Sequence, residues 1–336
     1  MLATLTLPLC PDLPAPRTPT VRVRSADDLR GALRQARGSG LTVDASGMDR
    51  VLCFDAGRGL VEVQAATTWA TLAAFLSTHD IDIGAFARDA ALPTAIGECL
   101  ALAAPGPDGQ PATAHVAAIT LATPDGELRR ADRSVNAELF RLALGGQGVI
   151  GVLYSATLCL RSVQAGAAAA APPVELGFGE AAGGSASGIE CLLPPERLEA
   201  YLAAARALAE ERRVRLHRIA VRRYLPESEC HLRWARRDWA GVEVRFGVKP
   251  TLGAGVAAAE VRRGLLAAAL AQGGSFPVRD LRDATRGQLE ACYPAVAGFL
   301  AEKRRVDPAE RLQNAWYRRL RAILKSEPCD SRWCAG

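Results

Sequence analysis

Glu243, Arg245 and Lys249 fall in one short stretch, Gly241–Pro250, where they alternate with Val242, Val244, Phe246 and Val248. Successive side chains of an extended chain point to opposite faces, so the charged set shares one face of a strand and the apolar set the other. Arg222 and His217 lie on the strand expected beside it. Such a face either pairs its charges across the sheet in water or turns them toward a polar ligand. Arg279, within Gly273-Gly-Ser-Phe-Pro-Val-Arg-Asp280, is a further fixed positive charge that cannot carry a proton near neutral pH. Read alone, Gly145-Gly-Gln-Gly148 is a helix C-cap and tight turn. His115 stands just before a strand and reads as a partly exposed strand-edge histidine. Neither a Ser-His-Asp order nor a zinc spacing offers a hydrolase alternative, and no metal ligands are assigned.

The elements that must position these residues follow from pattern. Ser25-Ala-Asp-Asp28 caps an amphipathic helix carrying Leu29, Leu33 and Ala36. Leu41–Val43 and Val51–Phe54 read as short strands around a turn, and Leu60–Ala65 alternates as a half-buried strand. Thr68 caps a helix with Leu72, Phe75 and Leu76. Val116–Ala122 is a buried strand returned by Pro124-Asp-Gly126 into a hairpin partner at Glu127–Arg130. Asn136–Leu144 is a helix, and Val149–Leu160 a strand. Gln164–Pro173 is almost all Ala, Gly and Pro and reads as a linker. Beyond it come a strand at Ile189–Leu193 and a helix at Pro195–Arg212 with Leu198, Leu202 and Leu208 inward. Val214–Val221, Cys230–Trp234 and Val242–Val248 look like an antiparallel series, followed by a helix at Val256–Ala271. The end, Tyr293 to Leu324, is helical with a break at Asp307-Pro308. The class is α+β in two lobes.

Composition bounds the function. The chain has 336 residues, and at roughly 150 per domain that suggests two domains. No apolar run approaches the roughly 18 residues of a spanning helix, so no membrane span is expected. Met1 to Pro14 has no Lys or Arg before its apolar residues, which argues against a secretory signal and for a cytoplasmic protein. Nine cysteines scattered without close pairing fit a reducing compartment. The net charge of +5 comes from arginines interleaved with acids, not from a basic face with aromatics between, so no nucleic acid partner is expected.

The order of pieces from Leu41 to Leu160 resembles the PCMH-type FAD-binding domain of the vanillyl-alcohol oxidase superfamily, the FAD-linked oxidases. The likeness is carried by LTVDASGMDRVLCFD, GLVEVQAATTWATLAAFL, LPTAIGECLA and ITLATPDGELRRADRSVNAELFRLALGGQGVIGVLYSATLCL. The late segment YPAVAGFLAEKRRVDPAERLQNAWYRRL is similar to the tail of the decaprenylphosphoryl-ribose oxidase and alditol or aldonolactone oxidase branches. From about Gln164 to Ala291 the match is in outline only.

The resemblance implies a shortened FAD-binding domain at 20–163, an antiparallel-sheet substrate domain at 174–290, and a helical tail at 291–325 docking on the first domain. It implies non-covalent FAD held by Gly97, Gly145, Gly146, Gly148, Val149, Ile150 and Gly151, where backbone passes close to the nucleotide. It implies oxidation of an alcohol group on a small, sugar- or polyol-like substrate, with electrons passing to the flavin and on to O2 or another acceptor. Glu243, Arg245, Lys249 and Arg279 are the catalytic-side candidates, with Arg222 and His217 beside them.

The chain departs from the family where the cofactor would be held. The glycine-rich pyrophosphate loop is reduced to Gly38 and Gly40. Glu98 puts a carboxylate where a glycine approaches the phosphates. Ala104-Pro-Gly-Pro-Asp-Gly-Gln110 replaces the family's H-G-K-N-H-H, Ala66 replaces a glycine, and Arg279 stands at a lysine position. Two readings therefore stand: a reduced FAD-linked oxidoreductase, or a cofactor-less, non-catalytic descendant of the fold that acts as a partner or scaffold for another protein.

Overall fold

The computed structural model describes residues 20–35, 42–177, 185–248, 251 and 253–325. Lys249, Gly38 and Gly40 lie outside these.

β1 (Thr20–Arg22) leads into α1 (Ala26–Gln35) and pairs in parallel with β2 (Thr42–Asp44). The cap of α1 is made by its own sequence: the Asp28 amide donates to Ser25 Oγ at 3.1 Å and the Ser25 amide to Asp28 Oδ2 at 3.2 Å. Then come β3 (Val51–Asp55), β4 (Leu60–Gln64), α2 (Trp69–Ser77), α3 (Gly84–Arg88) and α4 (Ile96–Leu102). Thr68 caps α2 by accepting from the Thr71 amide. β5 (Val116–Ala122), β6 (Leu128–Asp132), α5 (Ala137–Ala143) and β7 (Val152–Cys159) follow. The five longer strands form one antiparallel sheet in the order β3-β4-β7-β5-β6. Its inward residues, Val61, Val63, Ile119, Leu121, Ala156 and Leu158, are at most 1% exposed.

The stretch read as a linker begins inside a helix, α6 (Leu160–Ala168). Alanine costs least to place in a helix, and Leu160, Val163 and Gly166 give this one a buried side.

The remaining elements are β8 (Val174–Gly177), β9 (Ser185–Leu193), α7 (Leu198–Glu211), β10 (Arg215–Tyr224), β11 (Trp239–Val248), α8 (Ala254–Ala271), α9 (Arg286–Cys292), α10 (Val296–Val306) and α11 (Ala315–Lys325). A four-stranded sheet runs β8-β10-β11-β9. The inner side of α7 is made by Tyr201, Leu202, Ala205 and Ala209, with Leu198 and Leu208 only half-buried. Cys230–Trp234 is not a strand. Its apolar residues are buried, but their backbone serves a folded loop rather than a ladder.

The chain forms two compact units. The first gathers the described residues up to Pro172 with Tyr224–Arg236 and Ala297–Ala315. The second gathers Pro173–Arg223, Arg237–Val296 and the described residues from Trp316. The tail therefore divides. α10 and the turn after it belong to the first unit, whereas α11 packs within the second, where Trp316 Nε1 donates to Val278 O at 2.7 Å and Arg319 Nη2 to Arg282 O at 2.7 Å.

Candidate functional site

In the second unit, strand alternation sorts the residues as the pattern requires. Val242, Val244 and Phe246 are fully buried, while Glu243 is half-buried and Arg245 exposed. Glu243 accepts from Arg245 Nε at 2.8 Å and lies 3.7 Å from Arg218 Nη1, and Arg218 also pairs with Glu175 on β8. His217 leans over Gly247, whose missing Cβ would sit 2.3 Å from His217 Nε2. Glu190 on β9 stands directly opposite Glu243, and Arg279 pairs with Glu190. Two carboxylates opposed across a ladder repel, and the three guanidiniums offset that. The face thus brings Glu243, Arg245 and Arg279 into one ionic row, with Arg222 on the same strand as His217. Its pairs on Glu243 and Glu175 are 35–56% exposed, so each contributes about 0–1 kcal/mol. Arg262 is held more firmly: it grips Asp283 from Nε at 2.6 Å and Ser187 Oγ from Nη1 at 2.8 Å, with its side chain 14% exposed.

A shallow dent with room for about one water molecule is bordered by Glu190, Phe276, Asp280 and Asp283. Its carboxylates already have arginine partners, Arg279, Arg282 and Arg262. Among the described residues no group of His, Cys, Asp and Glu is arranged to hold a metal ion.

In the first unit, α4 and the turn after α5 carry the positions assigned to FAD. The Ile96 amide donates to Thr67 O at 3.0 Å and the Gly97 amide to Ala65 O at 2.8 Å, so the donors that open α4 are spent on the chain itself. A Cβ on Gly97 would sit 2.7 Å from both Ala65 Cβ and Ala65 O, so this glycine serves contact between helix and strand. Glu98 lies in the first turn, and burial pushes its carboxyl up. Gly145, at φ +66°, faces Cys230 Sγ at 3.0 Å and Ala103 Cβ at 3.2 Å from its missing Cβ. Gly146 is closed by Leu142 O and Gly151 by Leu121 and Ala122. Gln147 is 1% exposed; its amide donates to Ala101 O at 2.8 Å and its carbonyl accepts from Asn314 Nδ2 at 2.7 Å. Val149 and Ile150 are core residues. Gly148, at φ +71°, alone of these glycines opens on space.

The segment 104–110 is a compact turn. Gly106 N donates to Gln110 O, Ala112 N to Ala104 O, and Gly109 O accepts from the Leu225 amide at 2.8 Å. His115 is 1% exposed, which corrects its reading as a strand-edge residue. Its Nδ1 lies 2.8 Å from Ser162 Oγ and its Nε2 3.6 Å from Asp108 Oδ2, and its ring meets Phe86 edge-on. Burial lowers its pKa and Asp108 acts against that. The order Asp108, His115, Ser162 is present in the sequence, yet spacing alone does not say that the three meet. Asp108 and His115 are at most 2% exposed and Ser162 is half-buried, and the cluster ties the turn to α6.

Of the glycines assigned to FAD, Gly97, Gly145, Gly146 and Gly151 pack against the chain's own atoms, and Gly148 opens on space.

No protein-family profile matches the sequence, and no curated protein does. Among solved structures the chain is similar to Physcomitrella patens BBE-like 1, wild type, with 12% identity, a TM-score of 0.66 and 92% of each chain covered. It is also similar to a point variant of that protein, with 11% identity, a TM-score of 0.62 and the same coverage. The chain shares the fold of these structures.

Proposed function

We propose that this chain is an FAD-linked oxidoreductase that oxidises the alcohol group of a small hydroxylated substrate, sugar- or polyol-like. What supports the reading is the fold, matched over 92% of the chain. The ionic row of the second unit is suited to such a substrate: the Glu243 carboxylate accepts from hydroxyls, and Arg245 and Arg279 donate to them. FAD, bound non-covalently, would take up the electrons. The test is direct. Purified protein should carry flavin absorbance, or should gain thermal stability from added FAD, since ligand at 100 times its Kd adds about 2.7 kcal/mol. Colourless protein with an unmoved melting point rejects the reading.

The second reading is a cofactor-less descendant of the fold acting as a partner protein. Glycines that the resemblance assigns to FAD pack against Cys230, Ala103, Ala65 and Leu121, with Gly148 open. Under this reading FAD leaves the melting point unchanged and a second protein co-purifies.

A further inference from the structure

We infer that Asp108, His115 and Ser162 of the first unit form a second site, a nucleophilic triad in which Ser162 attacks, His115 is the base and the substrate is a small acyl ester. The inference rests on neither reading of the flavin question.

The three residues come from three separate places. Asp108 lies in the compact turn 104–110, where its Oδ1 accepts the Gln110 amide at 3.1 Å. His115 ends a short 3-10 turn, Ala112–His115, that runs straight into β5. Ser162 lies in the first turn of α6. Their order along the chain is the reverse of Ser-His-Asp, and the fold makes them meet. Ser162 Oγ is 2.8 Å from His115 Nδ1, and His115 Nε2 faces Asp108 Oδ2 at 3.6 Å. Gly166, one turn further along α6, permits the approach: a Cβ there would sit 2.8 Å from Asp108 Oδ2 and 2.9 Å from His115 Cε1.

Two features go beyond tying the turn to α6. Asp108 Oδ2 and His115 Nε2 are buried and neither has a hydrogen bond, a costly state for groups whose work is to hold a loop in place. Exposure also rises toward the hydroxyl. Asp108 and His115 are at most 2% exposed, whereas Ser162 is half-buried, at the border between buried Gly166 and exposed Ala165.

The chemistry follows from the geometry. A proton on Nε2, drawn by the Asp108 carboxylate, leaves Nδ1 to accept the Ser162 hydroxyl. The ring is faced by Asp108 from the turn, by Ser162 and Gly166 from α6 and by the edge of Phe86 from α3, so Asp108 is its charged neighbour. Burial lowers the pKa of His115, which keeps the ring neutral near pH 7, as a base must be. As Ser162 Oγ bonds the acyl carbon, its proton passes to His115 Nδ1, and the ester C–O bond breaks as the leaving alcohol takes that proton. Water, giving its proton to the same nitrogen, then releases the acid and restores Ser162. Asp108 balances the imidazolium formed between these steps and is a positioning residue. No side chain caps α6, so its N-terminal dipole favours the negative charge that develops on the carbonyl oxygen.

The experiment uses the full chain at pH 7.5. Diisopropyl fluorophosphate, from which Ser162 Oγ displaces fluoride, should leave its adduct on Ser162 in a peptide map, and p-nitrophenyl acetate should be hydrolysed. Ser162→Ala should abolish both, and His115→Ala should slow hydrolysis at least about 100-fold. Asp108→Asn keeps an acceptor for the Gln110 amide; it should slow labelling and lower the pH at which labelling is half-maximal, a midpoint that a structural role alone would not move. Should His115→Ala fail to fold, the adduct on wild type and the Asp108→Asn midpoint decide. Wild type labelled on another residue or on none overturns the inference, as does wild-type hydrolysis by Ser162→Ala. An unmoved midpoint in Asp108→Asn overturns the triad.

Discussion

Lys303 and Asp307 sit one turn apart at the end of α10, with side chains 0% and 1% exposed, and their charges are paired. Asp307 does more than neutralise. Its Oδ1 accepts the Arg311 amide at 3.0 Å and its Oδ2 the Leu312 amide at 2.9 Å, so one carboxylate holds the turn that carries Asn314 to Gln147. Asp307→Ala removes the anion that balances a buried ammonium and the acceptor of two amides. Breaking such a pair from one side costs about 3–5 kcal/mol. Lys303→Met should cost less, about 2 kcal/mol, because Asp307 keeps two amide donors and charge-assisted bonds are worth about 1.5–3 kcal/mol each. The double variant should lose clearly less stability than the sum of the singles, since it leaves no buried charge behind. The assay is urea unfolding of all four proteins at pH 7, followed by near-UV circular dichroism. For a unit of this size about 4 kcal/mol corresponds to roughly 10 °C or more of melting point. Added salt should change the result little, because water and ions do not reach the pair. An Asp307→Ala protein within 1 kcal/mol of wild type, or strictly additive variants, would refute the reasoning.

Burial holds His115 neutral, so the unfolded chain takes up its proton more readily than the folded one. Below the unfolded value of about 6.5 stability therefore falls as pH falls, by about 1.4 kcal/mol per pH unit at most. His115→Gln should remove that component, and equal urea-midpoint losses for both proteins between pH 7.5 and 5.5 would exclude it. Gly97→Ala drives a methyl into Ala65 backbone and should cost about 1–3 kcal/mol. Gly31→Ala, in α1 with nothing within 4 Å, should instead stabilise by about 0.5–1 kcal/mol; melting points of the same sign would contradict the contact geometry. Alkylation of native protein followed by mass mapping should modify exposed Cys53 and spare buried Cys99 and Cys191, whose thiols burial pushes up, that of Cys191 to about 12. Early labelling of Cys191 would count against its burial.

Local signals carried much of the fold. Ser25 and Thr68 announced α1 and α2 because a cap is a matter of three or four residues, and the alternation through Val242–Val248 gave one face of β11 correctly. The errors lie where long-range packing decides. Gln164–Pro173 has the composition of a linker, but a few apolar residues on one side suffice to dock α6. Cys230–Trp234 has strand-like residues, and what they satisfy are the carbonyls of Ala103 and Arg141, far away in sequence. The ionic row was legible in part: Glu243 and Arg245 share a strand, whereas Glu190 enters through strand register and Arg279 through a loop, neither of which a linear pattern encodes. The departures at Glu98 and at 104–110 were visible as residues, but only coordinates show that helix amides and glycine cradles there are already engaged.

The first unit is assembled from three stretches of chain, and this orders events during synthesis. Residues up to Pro172 emerge first, carrying the five-stranded sheet but lacking Trp234, Cys230 and the Lys303–Asp307 turn. At about 5–20 residues per second the ribosome takes several more seconds to deliver the last of them. Throughout that interval the turn at Gly145–Gly148 has neither Cys230 against it nor Asn314 on its carbonyl, and the apolar surface around Ala103 faces water. A nascent chain of this kind waits, half-closed, for its own far end, and that wait is where chaperone dependence and aggregation during expression would concentrate.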